Sequence, residues 1–458
     1  MGSLSATLLN SAGALSVYTK EFNVIQNNIT NANTPGYADQ NLALQAMPFN
    51  PEEGGEGGVM AAGLISSRSE YLDQNVRNQQ QLLGSSQQTA ADLGQIQPLF
   101  DPNSTSGVAG TLSNFFNSFS QLSVNPNDES ARQSVITAAG QVAQSFNRVS
   151  TGIEQVSSNV ESQTTSTVAQ INQIASQITA LNQQFQNDAS ATQDPGLDGQ
   201  MHADLENLSS LVNFSIVRGE GGTYNVYLGG QTPLVIGTQQ FQISSNFSSS
   251  QTVIYDSQLN DVTSQITCGS LGAMIQENNA TLPGYQAQLN TLAQTFADQV
   301  NLQLSQGVDQ NGIAPATNLF SYDQAGDAAS SLAVTAITPD QIAASSAGAP
   351  GGNGNAIAIA QLTNQPLVNG STFTQAFGNL SAQIGSDVAT AQQNQTEDQD
   401  LVTQAQQQRQ QAIGVDLNAE ATKLLQFQQA YQAVGQMVSV LNSLTQTVLD
   451  IVPLGSSV

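Results

Sequence analysis

The sequence predicts a mainly α protein with a β-rich insertion (α+β), in which both termini form a long antiparallel helical bundle or coiled coil that carries a smaller β-rich middle domain. Three observations predict it. Apolar residues at each end recur with strict 4,3 spacing. A longer stretch, from Val135 to Phe185, holds the same alternation without a slip. Between the helical stretches, short β-branched and aromatic runs alternate with Gly, Pro and Asn. Spacing of 4 and 3 keeps side chains on one face of a helix, whereas short β-branched runs between turn residues mark strands.

At the N-terminus, Leu4, Leu8, Ser11, Leu15, Tyr18, Phe22, Ile25 and Ile29 form an a/d seam with one polar member, Ser11. The seam predicts a helix of about 27 residues, roughly 40 Å long at 1.5 Å per residue. The stretch NNITNANTPGYADQ (27–40) ends it. Thr34 precedes Pro35, which biases it to extended geometry. Pro35-Gly36 fills positions i+1 and i+2 of a type II turn. Asn31 and Asn33 tolerate left-handed backbone and bond to nearby backbone groups. Tyr37 then folds against the helix it has left. The stretch is either a plain helix stop or a joint between a terminal coiled-coil layer and the rest of the protein.

Further along, Leu112, Phe115, Phe119 and Leu122 share one face of a short helix. The third seam runs from Val135 through Phe146, Ile153 and Ile171 to Phe185, with only Thr164 and Thr167 polar. It predicts a helix of about 50 residues, roughly 75 Å. A turn-rich segment follows at 191–200, and strands are expected near 215–218, 224–228, 234–236, 240–244 and 253–255. Tyr285, Leu289, Leu292, Phe296, Val300 and Leu304 mark another helix, 317–337 is weakly β-prone, and 346–355 is a Gly-rich loop. A long helix over 373–413 is expected to return beside the 135–185 helix.

The C-terminus mirrors the N-terminus. Phe427, Tyr431, Val434, Val438, Leu441, Thr445, Val448 and Val452 repeat the 4,3 alternation. Asp416 or Asn418 is the expected N-cap, Glu420 in the first turn suits the helix dipole, and Pro453 and Gly455 stop the helix. Burying a Leu or Phe contributes about 1.5–3 kcal/mol, so each terminal stripe demands a partner, whether the other terminus or a neighbouring subunit. The expected layout is a terminal coiled-coil layer (1–40 and 415–458), a long-helix bundle (41–190 and 372–414) and a β-rich outer domain (191–371) with an internal helical segment near 281–306.

Charge narrows the function. The net charge is −26, from 34 acidic and 8 basic residues, and no Lys or Arg lies between Arg218 and Arg409. Phosphate backbones and anionic membrane surfaces need clustered bases, so neither nucleic acid nor membrane is an expected partner. One cysteine, Cys268, excludes an intrachain disulfide. No apolar run is long enough for a transmembrane helix, and the N-terminus lacks a Sec-type signal pattern.

Chemistry finds little support. His202 stands near Asp198, Asp204 and Glu206, but no second His or Cys lies at zinc spacing. Cys268 is expected as a small buried apolar residue, since His202 is the sole base that could activate it. GGNGN (351–355) lacks the Lys-Ser/Thr of a phosphate cradle. Glu397, Asp398 and Asp400 are expected on a solvated helix face. No catalytic, cofactor-binding or metal residues are assigned.

The stretch NNITNANTPGYADQ resembles the N-terminal signature of the bacterial flagellar rod, hook and hook-associated proteins. GVDLNAEATKLLQFQQAYQAVGQMVSVLNSL (414–444) is similar to that family's C-terminal signature, with FQQAYQA (427–433) its most specific run. Residues 269–312 and 352–362 resemble the family's internal helical segments. Rod and hook members more often carry Thr-x-Gly-Phe where this chain has Thr34-Pro35-Gly36-Tyr37, so the resemblance is strongest to the hook–filament junction members. The β-rich middle is short for the family, and 41–66 is only loosely family-like.

The resemblance implies a non-enzymatic structural adaptor at the hook–filament junction, assembling with itself into a ring. It implies the hook protein, the second junction protein and a cytoplasmic export chaperone as partners, no cofactor, and export through the flagellar type III apparatus without a cleaved signal. Leu4, Leu8, Leu15, Tyr18, Phe22, Ile25 and Ile29 would form one assembly interface, with the turn at Asn31, Asn33, Thr34, Pro35, Gly36 and Tyr37. Phe427, Tyr431, Val434, Val438, Leu441 and Val448 would form the other and receive the chaperone. On this reading both terminal helices are largely disordered before assembly. The alternatives are a hook or distal-rod protein of the same family, or a surface-exposed adhesin or enzyme.

Overall fold

The computed structural model describes residues 2–49, 57–247 and 251–451. In chain order the elements are α1 (Gly2–Asn31), the hairpin strands β1 (Gln40–Ala46) and β2 (Val59–Ser66), α2 (Glu70–Ile96), α3 (Val108–Val124), α4 (Glu129–Asn187) and α5 (Pro195–Leu211). An antiparallel four-stranded sheet follows, β3 (Phe214–Arg218), β4 (Tyr224–Leu228), β5 (Thr232–Ile236) and β6 (Gln239–Gln240), then the pair β7 (Ser244–Asn246) and β8 (Val253–Tyr255). Next come α6 (Gly269–Gln276), α7 (Leu282–Ser305), β9 (Gly307–Val308), β10 (Phe320–Ser321), the single turn α8 (Ala328–Ser331), β11 (Ala333–Val334) and β12 (Ser345–Ser346). The chain closes with α9 (Gly354–Gln361), α10 (Phe373–Ile413) and α11 (Leu417–Ile451).

The two terminal seams meet. Helices α1 and α11 run antiparallel: Asn28 reaches Glu420 near the body, and Ser11, the polar member of the first seam, meets Met437 further out. Between them Tyr18 packs on Phe427 and Phe22 on Tyr431, each pair with ring centroids 5.9 Å apart. Asp416 caps α11, accepting from Asn418 N at 2.8 Å and Ala419 N at 3.2 Å. Val452, Pro453 and Gly455, expected at the end of this helix, lie outside the described residues.

Ile29 departs from expectation. It is 38% exposed, while Asn28 beside it is fully buried. The reason is a second packed flank on α1. Val17, Glu21 and Asn28 are buried off the seam, and the β1–β2 hairpin lies along the same helix. Nothing in the apolar spacing of 41–66 marks an element there, so this flank is not foreseen. The hairpin shifts register at Ala43/Leu44, a bulge that bends it.

The body has two apolar clusters. The first joins the end of α2, α3, the first half of α4, α7, α9 and the start of α10 around an aromatic knot of Phe115, Phe296, Phe320 and Phe373. The second joins the rest of α4, α5, the sheet and α6. Helix α4 threads both. At 59 residues it is about 89 Å long. Its two polar seam positions, Thr164 and Thr167, fall between Val160, the last α4 member of the first cluster, and Val168, the first of the second. Asn182, fully buried on α4, holds the sheet: Nδ2 donates to Tyr224 O (2.9 Å) and Gly237 O (2.7 Å), and Oδ1 accepts from Tyr224 N (2.9 Å).

Three further expectations are corrected. Helix α10 spans 373–413 as expected but packs along α2, not α4. Helix α2 itself is not foreseen, because its buried positions include Asp73, Arg77, Gly84, Ser86 and Asp92 beside Val76, Leu83 and Leu93, which blurs the apolar period. Residues 282–362, expected in the β-rich outer domain over 191–371, pack with the first cluster and carry the two-residue strands β9–β12, while the four-stranded sheet and the β7–β8 pair belong to the second cluster over residues 168–275. The strand expected at 240–244 splits between β6 and β7.

Candidate assembly joint

The signature stretch forms a joint where the terminal layer, the hairpin, the α10–α11 link and α5 converge. Thr34 to Tyr37 make the expected turn: Tyr37 N donates to Thr34 O at 3.1 Å, and Gly36 takes φ 75°, the left-handed value that position i+2 of a type II turn requires. Asn31 stays local, its Oδ1 accepting from Thr34 Oγ1 at 3.1 Å. Tyr37 does fold back, its hydroxyl donating to Asn28 Oδ1 at 2.8 Å.

Asn28 is the centre of the joint, though no feature of the apolar pattern marks it. Its Nδ2 lies within bonding reach of Asp39 Oδ1 (2.8 Å), Gln40 O (2.8 Å) and Glu420 Oε2 (3.1 Å), and its Oδ1 also accepts from Gln40 N (3.1 Å). One side chain thus ties the end of α1 to the first strand of the hairpin and to the first turn of α11. Lys423 completes the set, donating to Glu420 Oε1 at 2.7 Å and Asn41 Oδ1 at 3.1 Å. Burial raises the Asp39 and Glu21 carboxyls, with Lys423 opposing the shift at both. Burial likewise holds the Tyr37 hydroxyl up to about 12, so it remains a donor. The Asp39 amide donates to Ile413 O at 2.9 Å, fastening the turn to the end of α10.

On the body side the turn meets an ionic cluster. Arg68 donates through Nη2 to Gly36 O, through Nε to Asp198 Oδ2 (2.7 Å) and through Nη1 to Asp73 Oδ2 (3.0 Å). Arg409 of α10 binds Glu206 Oε2 at 2.7 Å and lies 3.4 Å from Asp73 Oδ1. Gly36 rests on Gly199 of α5, so close that a Cβ there would overlap the Gly199 carbonyl oxygen. A polar hollow of about 280 Å³ lies between the turn, Arg68, Arg409 and residues 413–415.

His202 sits behind this cluster on α5, buried, with Nε2 3.1 Å from the Tyr224 hydroxyl and Nδ1 3.6 Å from Asp73 Oδ2. Burial first, then the surrounding guanidiniums of Arg68, Arg77, Arg218 and Arg409, push its pKa well below the usual value. A neutral imidazole here links α5 to the sheet. Among the described residues no group of three or more His, Cys, Asp and Glu is arranged to hold a metal ion. Cys268, expected to be buried, is half-buried at the N-cap of α6.

Asn28→Ala is expected to loosen the terminal layer by about 3 kcal/mol or more, because Tyr37 OH, Gln40 N and Glu420 lose a partner at about 1–3 kcal/mol for each buried group left unpaired. Hydrogen exchange over 2–46 and 417–451 measures it. Protection equal to that of the parent protein would refute the central role of Asn28.

The seam residues divide by depth. Ile25 is buried; Leu4, Leu8, Leu15, Tyr18 and Phe22 are half-buried, as are Phe427, Val434, Val438, Leu441 and Val448, and Tyr431 is exposed. A second stripe of α11, Met437, Val440 and Leu444, spaced 3 and 4 apart, is exposed at 53%, 58% and 49%.

The chain resembles known proteins in fold and in sequence. A solved structure, the flagellar hook junction protein FlgK from Burkholderia pseudomallei, shares the fold with a TM-score of 0.67 at 18% identity, over 74% of this chain and 99% of that one. The family model for the flagellar hook-associated protein FlgK helical domain matches residues 93–320. Flagellar hook-associated protein 1 of Bacillus subtilis is 26% identical over 489 residues, covering 95% of this chain and 96% of its own. The chain belongs to the flagellar hook-associated protein 1 family. A second hook-associated protein 1, from Salmonella typhimurium, is 23% identical over 555 aligned residues, covering 98% of this chain and 100% of its own. That alignment exceeds the 458 residues here, so the Salmonella hook-associated protein 1 carries length that this chain lacks.

Proposed function

We propose that the chain is a structural adaptor at the flagellar hook–filament junction, assembling with copies of itself into a ring that connects hook to filament, without catalytic activity. The observation that carries this reading is the unfinished burial of the terminal layer. Helices α1 and α11 cover one seam between them, yet Met437, Val440 and Leu444 remain exposed on a second stripe of α11, and Leu9 of α1 is 68% exposed. Contiguous apolar surface of this kind marks an interface. A surface stripe that packs on a different patch of the next copy is a heterologous contact, and such contacts close into rings when the rotation fits.

The hook protein below the ring and the second junction protein above it are the proposed neighbours. The seam of α11 is the proposed seat of a cytoplasmic export chaperone, which would cover Phe427 to Val448 before assembly. Export through the flagellar apparatus without a cleaved signal completes the proposal. No described helix is long and apolar enough to cross a membrane. Immunogold electron microscopy on isolated hook–filament assemblies tests the reading. A single band at the distal end of the hook is expected; label along the whole hook, or none on the flagellum, would sink it.

A further inference from the structure

Where α2, α4 and α6 cross between the two apolar clusters, two carboxyl groups are shut together. Asp92 of α2 and Glu277, the first residue of the π-helical turn (277–281) that joins α6 to α7, are each 1% exposed. Asp92 is supplied with donors: Gln88 Nε2 reaches Oδ2 at 2.6 Å and Gln95 Nε2 reaches Oδ1 at 3.4 Å. Glu277 is not. Both its oxygens are enclosed with no N–H donor among the described residues, and they lie against the Asp92 carboxyl and the Thr89 hydroxyl. The neighbouring Asn278 is engaged elsewhere, with Ser157 and with Thr252 Oγ1 at 2.9 Å.

No base relieves this pair. On the stretches packed against the turn and against its flanking helices α6 and α7, the ionisable residues are Glu154 and Glu161 of α4, Asp204 and Glu206 of α5, Tyr285 of α7 and Asp387 of α10. The last two are joined to each other, Tyr285 OH donating to Asp387 Oδ2 at 2.7 Å. A buried carboxylate with no N–H donor and only the Thr89 hydroxyl beside it, in contact with a second carboxylate, is disfavoured twice over, by lost solvation and by like charge. A proton removes both objections, because it turns Glu277 into a donor toward Asp92.

We propose that Asp92 and Glu277 hold one proton between them, as a carboxylic acid–carboxylate hydrogen bond that clasps α6 to α2 and opens when the proton is lost. The position gives the clasp its consequence. Met274 and Leu282 belong to the first cluster, Leu271 and Ile275 to the second, so the clasp fastens the segment that joins them. Burial and the Asp92 charge hold the Glu277 carboxyl far above the usual carboxylate range. The unfolded chain releases this proton near the ordinary glutamate value of about 4.3, whereas the folded chain keeps it. The fold therefore binds one more proton through that window, and its equilibrium constant falls by up to about tenfold per pH unit as pH rises.

The test is thermal unfolding of the full chain, parent against Glu277→Gln, from acid to alkaline pH, with infrared spectra of the parent. The side-chain amide introduced by Glu277→Gln supplies a permanent N–H donor to Asp92, so the variant is expected to gain stability over the parent progressively as pH rises. The parent is expected to show the C=O stretch of a buried carboxylic acid at neutral pH, lost in alkali. Two outcomes overturn the proposal: parallel pH curves for the two proteins, or no acid band in the parent. A calcium- or magnesium-dependent rise in the parent's melting temperature, absent from the variant, would also overturn it by showing a cation in place of the proton. Should the variant fail to fold, the band and its titration in the parent decide the matter alone.

Discussion

Gly36→Ala is expected to unseat the terminal layer from the body, with a cost of more than about 4 kcal/mol, the range reserved for steric conflict and strain at special backbone positions. Two effects add. A left-handed conformation costs a residue with a Cβ about 1–2 kcal/mol. The larger effect is contact: the new methyl would overlap the Gly199 carbonyl oxygen and stand 3.1 Å from Ala203 N. Neither atom can yield, because both belong to the backbone of α5. The turn must lift, and Arg68 then loses the Gly36 carbonyl.

The sequence offers a clean reporter for this. Its only lysines are Lys20 and Lys423, one in each terminal helix. A lysine-specific protease therefore cuts nothing but the terminal layer, and Gly36→Ala should speed both cuts at least tenfold. The control is Gly199→Ala. A Cβ there lies 3.5 Å from the Gly36 backbone, ordinary contact, and alanine suits a helix interior better than glycine by about 1 kcal/mol. It should leave cleavage unchanged or slower. Equal rates for Gly36→Ala and the parent would refute the close-approach argument.

The contrast between what is legible in the sequence and what is not follows from the physics of each element. The terminal seams, α4 and the turn are legible because each depends on local spacing or local backbone rules: 4,3 periodicity, and Pro-Gly at fixed turn positions. Thr164 and Thr167, the polar members of the longest seam, fall where one core gives way to the other. Helix α2 is not legible because it is buried by charge pairing as much as by apolar contact. Asp73 and Arg77 occupy core positions there, and a hydrophobic pattern cannot register Arg68 folding back onto Asp73 or Arg409 arriving from α10. The β1–β2 hairpin escapes for another reason. Its strands QNLALQA and VMAAGLIS are built on Ala, Leu and Gly instead of alternating β-branched residues, and they are held by α1. Asn28 escapes because a buried asparagine looks like any other until its partners, nine to 392 positions away, are known. The one available hint is its place one turn before a predicted joint.

Leu441→Asp should abolish incorporation into the junction while leaving the body folded. No residue of α1 or α11 belongs to either apolar cluster, so the cores that determine the fold of the body do not sense the change. In the free subunit Leu441 is only half-buried, and a carboxylate there keeps part of its water. In a packed layer it would not, and an unpaired charge left in an apolar contact costs about 3 kcal/mol or more, a loss of at least roughly a hundredfold in affinity at each contact. Val440→Asp separates the two levels of assembly. Val440 is exposed in the subunit, whereas Met437 meets Ser11 of α1, so the Val440 change should spare the pairing of α1 with α11 and the slow cleavage at Lys20 and Lys423, yet block incorporation as severely. Export must be scored beside assembly, because subunits that leave the cell and accumulate in the medium have failed at the junction and not before it. Normal motility and junctions in both variants would overturn the assembly role of the terminal layer. Loss with Leu441→Asp but not with Val440→Asp would confine that role to the seam within one subunit and discard the second stripe as an interface.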